Sequence, residues 1–232
     1  MKVKLLSYSP DAIRNIYISC RTCYSADGPL KIEVKSEEEM IKLITRVINS
    51  GHHSVLEHVS FTFGIEGVSR ALTHQLVRHR IASYSQQSQR YVEYSKGKKP
   101  NFILPEAIDK DAKAKKIFDK TTESIYQAYL DLLDLGISAE DARSLLPNAT
   151  ETKLTMTMNY REIINVSKIR LCFKAQSEIL KMFYEIKKEI NKVYPFLAKY
   201  IKPKCHYLGY CDEKVPCGNY PQFASRNPLA EI

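Results

Sequence analysis

A chain of 232 residues, 44% hydrophobic and 26% charged, can bury one substantial core and has the make-up of a globular protein rather than a disordered or fibrous one. No apolar run approaches the ~20 residues needed to cross a bilayer, and the opening MKVKLLSYSPDA turns polar too soon for a secretory signal, so a cytoplasmic protein without a membrane partner is expected. A net charge of +9 favours a polyanionic partner, be it nucleic acid, phosphorylated metabolite or dinucleotide.

In chain order, Ser36 with Glu39 forms the pattern of a capping box, and Met40, Ile41, Ile44, Val47 and Ile48 recur at helical spacing until Gly51, which predicts a helix over 37–50. Val59, Phe61, Phe63 and Ile65 alternate with smaller or polar residues and predict a half-buried strand, leaving His52, His53, Ser54, Glu57 and His58 on the connection. Ser69 to about Arg80 reads as helix, and the Ser- and Gln-rich stretch 83–101 as loop. A long amphipathic helix is expected from about Asp111 to Leu135, stopped by Gly136, then a short one from Ser138 ended by Pro147. Leu154, Met156 and Met158 alternate with threonines as a second strand, and 160–194 is helical with a break. Strands without regular βαβ spacing make the fold class α+β, with helices packed on a small, mostly antiparallel sheet. Residues 1–200 are expected to form the main domain and 201–232 a cysteine-bearing tail.

Basic charge concentrates in one segment, where Arg70, Arg78, Arg80, Arg90, Lys96, Lys98 and Lys99 face the single acid Glu93. Within it, RHRIASYSQQSQRY (78–91) mixes guanidinium groups with hydroxyl and amide side chains. Arginines grip phosphate through paired hydrogen bonds, and Ser and Gln add neutral donors, so the composition suits a phosphorylated nucleotide. On composition alone, a solvated basic face is an equally good account. An RNA-binding module, with Arg, Tyr and Gln contacting backbone and stacked bases, is the rival from another functional class.

Arg78-His79-Arg80, followed after seven residues by Ser88 and then Arg90, resembles the signature of the flavin-dependent thymidylate synthases. Four further segments resemble that family in the same order: Gly51-His52 with Glu57-His58 and Phe61-Thr62-Phe63; Gln75 before Arg78; Ala142-Arg143 before Leu146-Pro147; and Asn159-Tyr160-Arg161 followed by Asn165 and Arg170. The resemblance spans most of residues 15–190.

It implies reductive methylation of dUMP to dTMP, with methylenetetrahydrofolate giving the carbon, reduced FAD the hydride, and NADPH regenerating the flavin. It also implies a homotetramer whose active sites are shared between subunits. The nucleotide would be held by Gln75, Leu76, Val77, Arg78, Gln86, Gln87, Ser88, Gln89, Arg90 and Arg143, with Arg170 as the catalytic cation against the uracil. FAD would be held by Ser54, Glu57, Arg78, His79, Arg80, Ile81, Gln86, Asn159, Tyr160, Arg161 and Asn165, with His52 as an active-site histidine. Helical spacing alone puts Arg161, Asn165 and Ile169 on one face. The chain departs from the family pattern at Gln86, where some members carry Glu, at Cys23, where a small hydroxyl residue contacts flavin, and at Lys174, where some have His. A flavoenzyme that methylates uracil within RNA is a second alternative.

His52, His53, Glu57 and His58 form no HExxH pattern, and no metal site is expected there. Cys20 and Cys23 make one CxxC, whereas Cys205, Cys211 and Cys217 are separated by five-residue gaps unlike the short pairs of zinc fingers. With Cys172, they are read as packed or free thiols.

Overall fold

The structure, a computed structural model, describes residues 1–95 and 97–221. Lys96 of the basic segment and residues 222–232 of the tail lie outside the described residues. The elements in order are β1 (Lys2–Tyr8), α1 (Ala12–Thr22), α2 (Glu37–Asn49), β2 (Ser60–Ser69), α3 (Arg70–Leu76), β3 (Ala82–Gln86), α4 (Glu106–Asp109), α5 (Ala112–Asp134), α6 (Ala139–Ala142), β4 (Glu151–Asn159), α7 (Tyr160–Arg170), α8 (Ser177–Val193), α9 (Pro195–Ala198) and α10 (Cys205–Leu208). A short 3-10 turn, Ser54–His58, precedes β2.

The strands form one four-stranded sheet in the order β1-β2-β4-β3. Register pairs fix its sense. Ser9 N–H donates to the Ser60 carbonyl at 2.9 Å, and a Cβ on Gly67 would stand 3.0 Å from the Met1 nitrogen, so β1 and β2 run antiparallel. Likewise Tyr160 N–H donates to Val59 and Arg70 N–H to Thr150, which sets β2 antiparallel to β4. Gly67 has φ +68, a region that other residues enter only with strain, and its missing Cβ makes room for Met1. Helices on a small antiparallel sheet make the fold α+β.

The chain divides into two compact units. The first comprises Met1–Lys4 and Phe63–Met156. Its helical part centres on α5, which Asp111 caps by accepting from the N–H groups of Lys113 and Ala114 and which gives way to Gly136 at φ +83. Tyr126, Tyr129, Leu130 and Ala142 are buried there, with Tyr94, Phe102 and Leu146 packed against them. The Tyr126 hydroxyl donates to the Ser95 carbonyl at 2.6 Å, and Tyr94 stands edge-on to Tyr129 at 6.0 Å, so α5 anchors the end of the segment that follows β3.

The second unit comprises Leu5–Thr62 and Thr157–Ile232. The capping box is present: the Ser36 hydroxyl accepts from Glu39 N–H, and the Glu39 carboxylate accepts from Ser36 N–H. Met40, Ile44 and Ile48 then share the buried face of α2 against α1. The helical stretch 160–194 breaks where α7 ends at Arg170 and Gln176 caps α8 by accepting from Ile179 N–H. Tyr160 is fully buried beside Phe61 at 6.2 Å. Each fully buried aromatic of this kind contributes roughly 1.5–3 kcal/mol. Among the described residues, no helix is long and apolar enough to cross a membrane.

Candidate functional site

In the first unit, the arginine-bearing segment is shaped by an early helix end. The sequence pattern runs to about Arg80, but α3 stops at Leu76, where Val77 N–H closes on Thr73 and His79 N–H turns back to Leu76. The Tyr84 hydroxyl lies 2.9 Å from the carbonyls of both Leu76 and His79 and so supplies these carbonyls with a donor from outside the helix. Val77, Arg78, Arg80 and Ile81 are consequently exposed, with His79 half-buried between them. The predicted loop also contains a strand: Ala82–Gln86 is β3, and Gln87 N–H donates to Lys153 on β4.

Gln75 sits half-buried on α3, and Leu76 beside it is fully buried. The Leu76 side chain is thus part of the core, and its carbonyl accepts from the Tyr84 hydroxyl and the His79 N–H. Gln86 directs its amide nitrogen to the hydroxyls of Thr73 (3.1 Å) and Thr152 (3.2 Å), which leaves its oxygen as the uncommitted end. Ser88 accepts from Arg90 N–H at 3.1 Å and so folds the 87–90 segment on itself.

Three guanidinium groups meet around that segment. Arg90 Nε donates to the Glu140 carboxylate at 2.7 Å, and Arg143 Nε donates to the Glu140 carbonyl at 2.9 Å. Arg70 reaches the Gln87 carbonyl through Nη2 at 3.2 Å, while its Nε is buried without an acceptor. Burial, and then the neighbouring Arg143, push the Arg70 pKa down from its ordinary value. The amide nitrogen of Gln89 is also buried without an acceptor in hydrogen-bonding geometry, although the side chain lies close enough to Tyr94 to favour its phenolate. The Arg90–Glu140 pair is about half exposed on both sides, a kind of pair that contributes little to stability and is readily exchanged for a ligand.

In the second unit, the 3-10 turn packs against α7. Arg161 and Glu57 form an ion pair there. Ser54, Glu57 and His52 are exposed, whereas His53 turns its Nε2 to the Ile48 carbonyl at 3.1 Å, an ordinary structural role. Asn159 caps α7 by accepting from Glu162 N–H at 2.8 Å. Asn165, one turn along from Arg161, hydrogen-bonds the Glu162 carboxylate, whose pKa burial nonetheless raises. Tyr160 turns its side chain into the core: its hydroxyl donates to the buried Leu197 carbonyl at 2.7 Å, and burial raises its pKa well above the usual phenol. Arg170 ends α7 half-buried, and burial lowers the pKa of its guanidinium.

The tail packs on the same end of α7. Lys204 N–H donates to the Lys168 carbonyl at 3.0 Å, and Lys168 Nζ stands 5.2 Å over the Tyr207 ring. Between them lies a cavity of about 200 Å³ lined by Leu171, Cys172, Phe173, Cys205 and Cys211 among others. None of the expected nucleotide or flavin residues lines it, whereas the tail cysteines Cys205, Cys211 and Cys217 do. All six cysteines are free thiols. Among the described residues, no three His, Cys, Asp or Glu side chains come together in a way that could hold a metal ion.

The donor sets suit a nucleotide and a flavin dinucleotide. In the first unit, orphaned N–H groups and cations outnumber the acids that face them, and in the second Arg161, Asn165 and Ser54 offer donors along one helix and its neighbouring turn. Phosphate, ribose and ring carbonyl groups are acceptors that such donors satisfy.

Comparison with known proteins agrees. A family model described as Thy1, thymidylate synthase complementing protein, matches residues 4–196. Proteins named flavin-dependent thymidylate synthase are similar along nearly their whole length: that of Geobacter sulfurreducens is 42% identical over 94% of each chain, and that of Pyrococcus abyssi 38% identical over 97% of this chain and 96% of its own. In fold, the chain resembles the crystal structure of the UMP/dUMP methylase PolB from Streptomyces cacaoi bound with 5-Br dUMP, with a TM-score of 0.73, 22% identity, and coverage of 86% of this chain and 93% of that one. A match that takes in the arginine segment, the 3-10 turn and α7 alike leaves one assignment: the chain belongs to the flavin-dependent thymidylate synthase family.

Proposed function

We propose that this protein converts dUMP to dTMP, drawing the carbon from methylenetetrahydrofolate and, through FAD, reducing power from NADPH. The observation that carries the reading is the near full-length identity of 42% to flavin-dependent thymidylate synthases. The product named by the family is thymidylate, and the same nucleotide without its methyl group is dUMP.

In this reading, Arg78, Arg90, Arg143 and Ser88 hold the phosphate, with Gln75, Gln86, Gln87 and Gln89 and the backbone of Leu76 and Val77 around the nucleoside. Ser54, Glu57, Arg78, His79, Arg80, Ile81, Gln86, Asn159, Arg161 and Asn165 hold FAD, whose reduced form supplies the hydride that completes the methyl group. Arg170 sets a fixed cation against the pyrimidine, where negative charge develops as carbon 5 becomes nucleophilic. No protein nucleophile is required, and the chain binds, orients and stabilises charge. Ser88 has no base paired with it, and its hydroxyl accepts from Arg90 N–H, which fits binding rather than attack.

The enzyme is read as a cytoplasmic homotetramer with shared sites. Val77 (42% exposed), Ile81 (63%) and Tyr91 (79%) present apolar surface beside the arginines, which supports burial against another subunit. Sedimentation velocity combined with assay at the same concentrations tests this, since an active monomer refutes shared sites.

The central experiment follows tritium release from C5-labelled dUMP with folate and NADPH present, alongside the absorbance spectrum of the purified protein. A yellow protein and dUMP-dependent release are expected; a colourless protein, or release only from a uridine-containing RNA, overturns the proposal.

A further inference from the structure

We infer that Arg70, outside the residues that the family signature marks, binds the phosphate of the nucleotide. The inference rests on the dUMP reading above and adds a residue to that site. Four observations carry it. Arg70 is tied to the proposed phosphate segment through the Gln87 carbonyl, so its guanidinium is held at the right place. Its Nε is buried without an acceptor. Buried donors are rarely left so in a finished structure, because each costs the loss of its water without return.

Charge gives the third observation. Arg90 and Arg143 both bond to Glu140, one to its carboxylate and one to its backbone carbonyl, while Arg70 bonds only to a neutral carbonyl. Three guanidinium groups with one bonded carboxylate leave a local excess of about two positive charges, the complement of a phosphate monoester dianion. Fourth, Arg70 and Arg143 are near enough to repel, which folding tolerates where an anion is to sit between or beside them. A nucleoside offers no such charge, so the demand is for the phosphate itself.

Calorimetric titration of the flavin-loaded enzyme with dUMP and, separately, with 2′-deoxyuridine tests the role. Arg70→Met is expected to weaken dUMP binding by about tenfold to a hundredfold, the span of a charged hydrogen-bond contact, and to leave deoxyuridine binding unchanged. Arg70→Lys, which keeps the charge and loses the fork, is expected to fall between. Equal loss for both ligands marks a structural staple of the 87–90 segment and overturns the inference, as does wild-type dUMP affinity in Arg70→Met. Should Arg70→Met fail to fold, the same two criteria apply to Arg70→Lys. Wild-type enzyme that binds no dUMP refutes the function itself, a separate result.

Discussion

Arg161 on α7 is ion-paired with Glu57 of the 3-10 turn, 104 positions earlier in the chain. Both belong to the proposed flavin set, and both are nearly half exposed. Exposed pairs are worth roughly 0–1 kcal/mol. Arg161→Ala is therefore expected to melt within a few degrees of wild type while losing flavin on purification, read as the ratio of visible to protein absorbance. Full flavin retention removes Arg161 from cofactor binding.

Arg170→Ala separates chemistry from binding. Loss of one preorganised charge contact lowers turnover by about 10²–10³. Flavin content is expected to stay at the wild-type level, and tritium release from C5-labelled dUMP to fall by that factor. Unchanged release takes Arg170 out of the mechanism.

Glu162 carries a pH signature. Burial raises its folded pKa above the unfolded value, so the folded state holds the proton more tightly than the unfolded chain does. Its contribution is fully present below the unfolded carboxylate pKa and is lost as pH rises through the folded one. Glu162→Gln is expected to melt a little above wild type at pH 7 and level with it at pH 4. A variant less stable than wild type at pH 7 shows that the hydrogen bond from Asn165 and the nearby Arg161 outweigh burial.

Tyr160→Phe removes the donor to the Leu197 carbonyl within the core. That carbonyl keeps the Tyr200 N–H at 3.1 Å, so the loss is that of one hydrogen bond, about 0.5–1.5 kcal/mol, and each kcal/mol shifts the melting point of a chain this size by roughly 2–4 °C. Thermal denaturation reads the shift directly, and an unshifted curve means that the hydroxyl contributes nothing.

The CxxC is asymmetric. Burial, and then Cys23, raise the Cys20 pKa to about 11, so at pH 8 its thiol stays protonated and inert. Cys23 and Cys217 are exposed. Iodoacetamide at pH 8 is expected to label those two and spare Cys20, as peptide mass mapping can establish. Native labelling of Cys20 contradicts the burial argument.

Much of this architecture was legible where local chemistry decides structure. Ser36 with Glu39 marked the start of α2, Gly136 the stop after α5, and the alternation at Phe61, Phe63 and Ile65 a strand whose inward side chains are fully buried. β3 was not legible, because ASYSQ has no β-branched residue and is fixed by pairing with β4 through Gln87 and Lys153, some 66 positions apart. Nor was the end of α3 at Leu76, since Tyr84 reaches back to it from beyond the turn. The site divides similarly. Arg78, Arg90 and Arg143 stood out by type and motif, but Arg70 was indistinguishable from surface charge until burial and geometry were known, and the commitments of Leu76 and Tyr160 to the core depend on neighbours far along the chain.

The Gln86 amide passes its hydrogens to Thr73 and Thr152, and the Thr73 hydroxyl passes its own to the Arg70 carbonyl. This relay has a direction. A carboxylate at position 86 would need protons where the amide gives them, and Thr73 would have to let go of Arg70 to oblige. Gln86, by giving hydrogens, lets the Thr73 hydroxyl keep its hold on the Arg70 carbonyl.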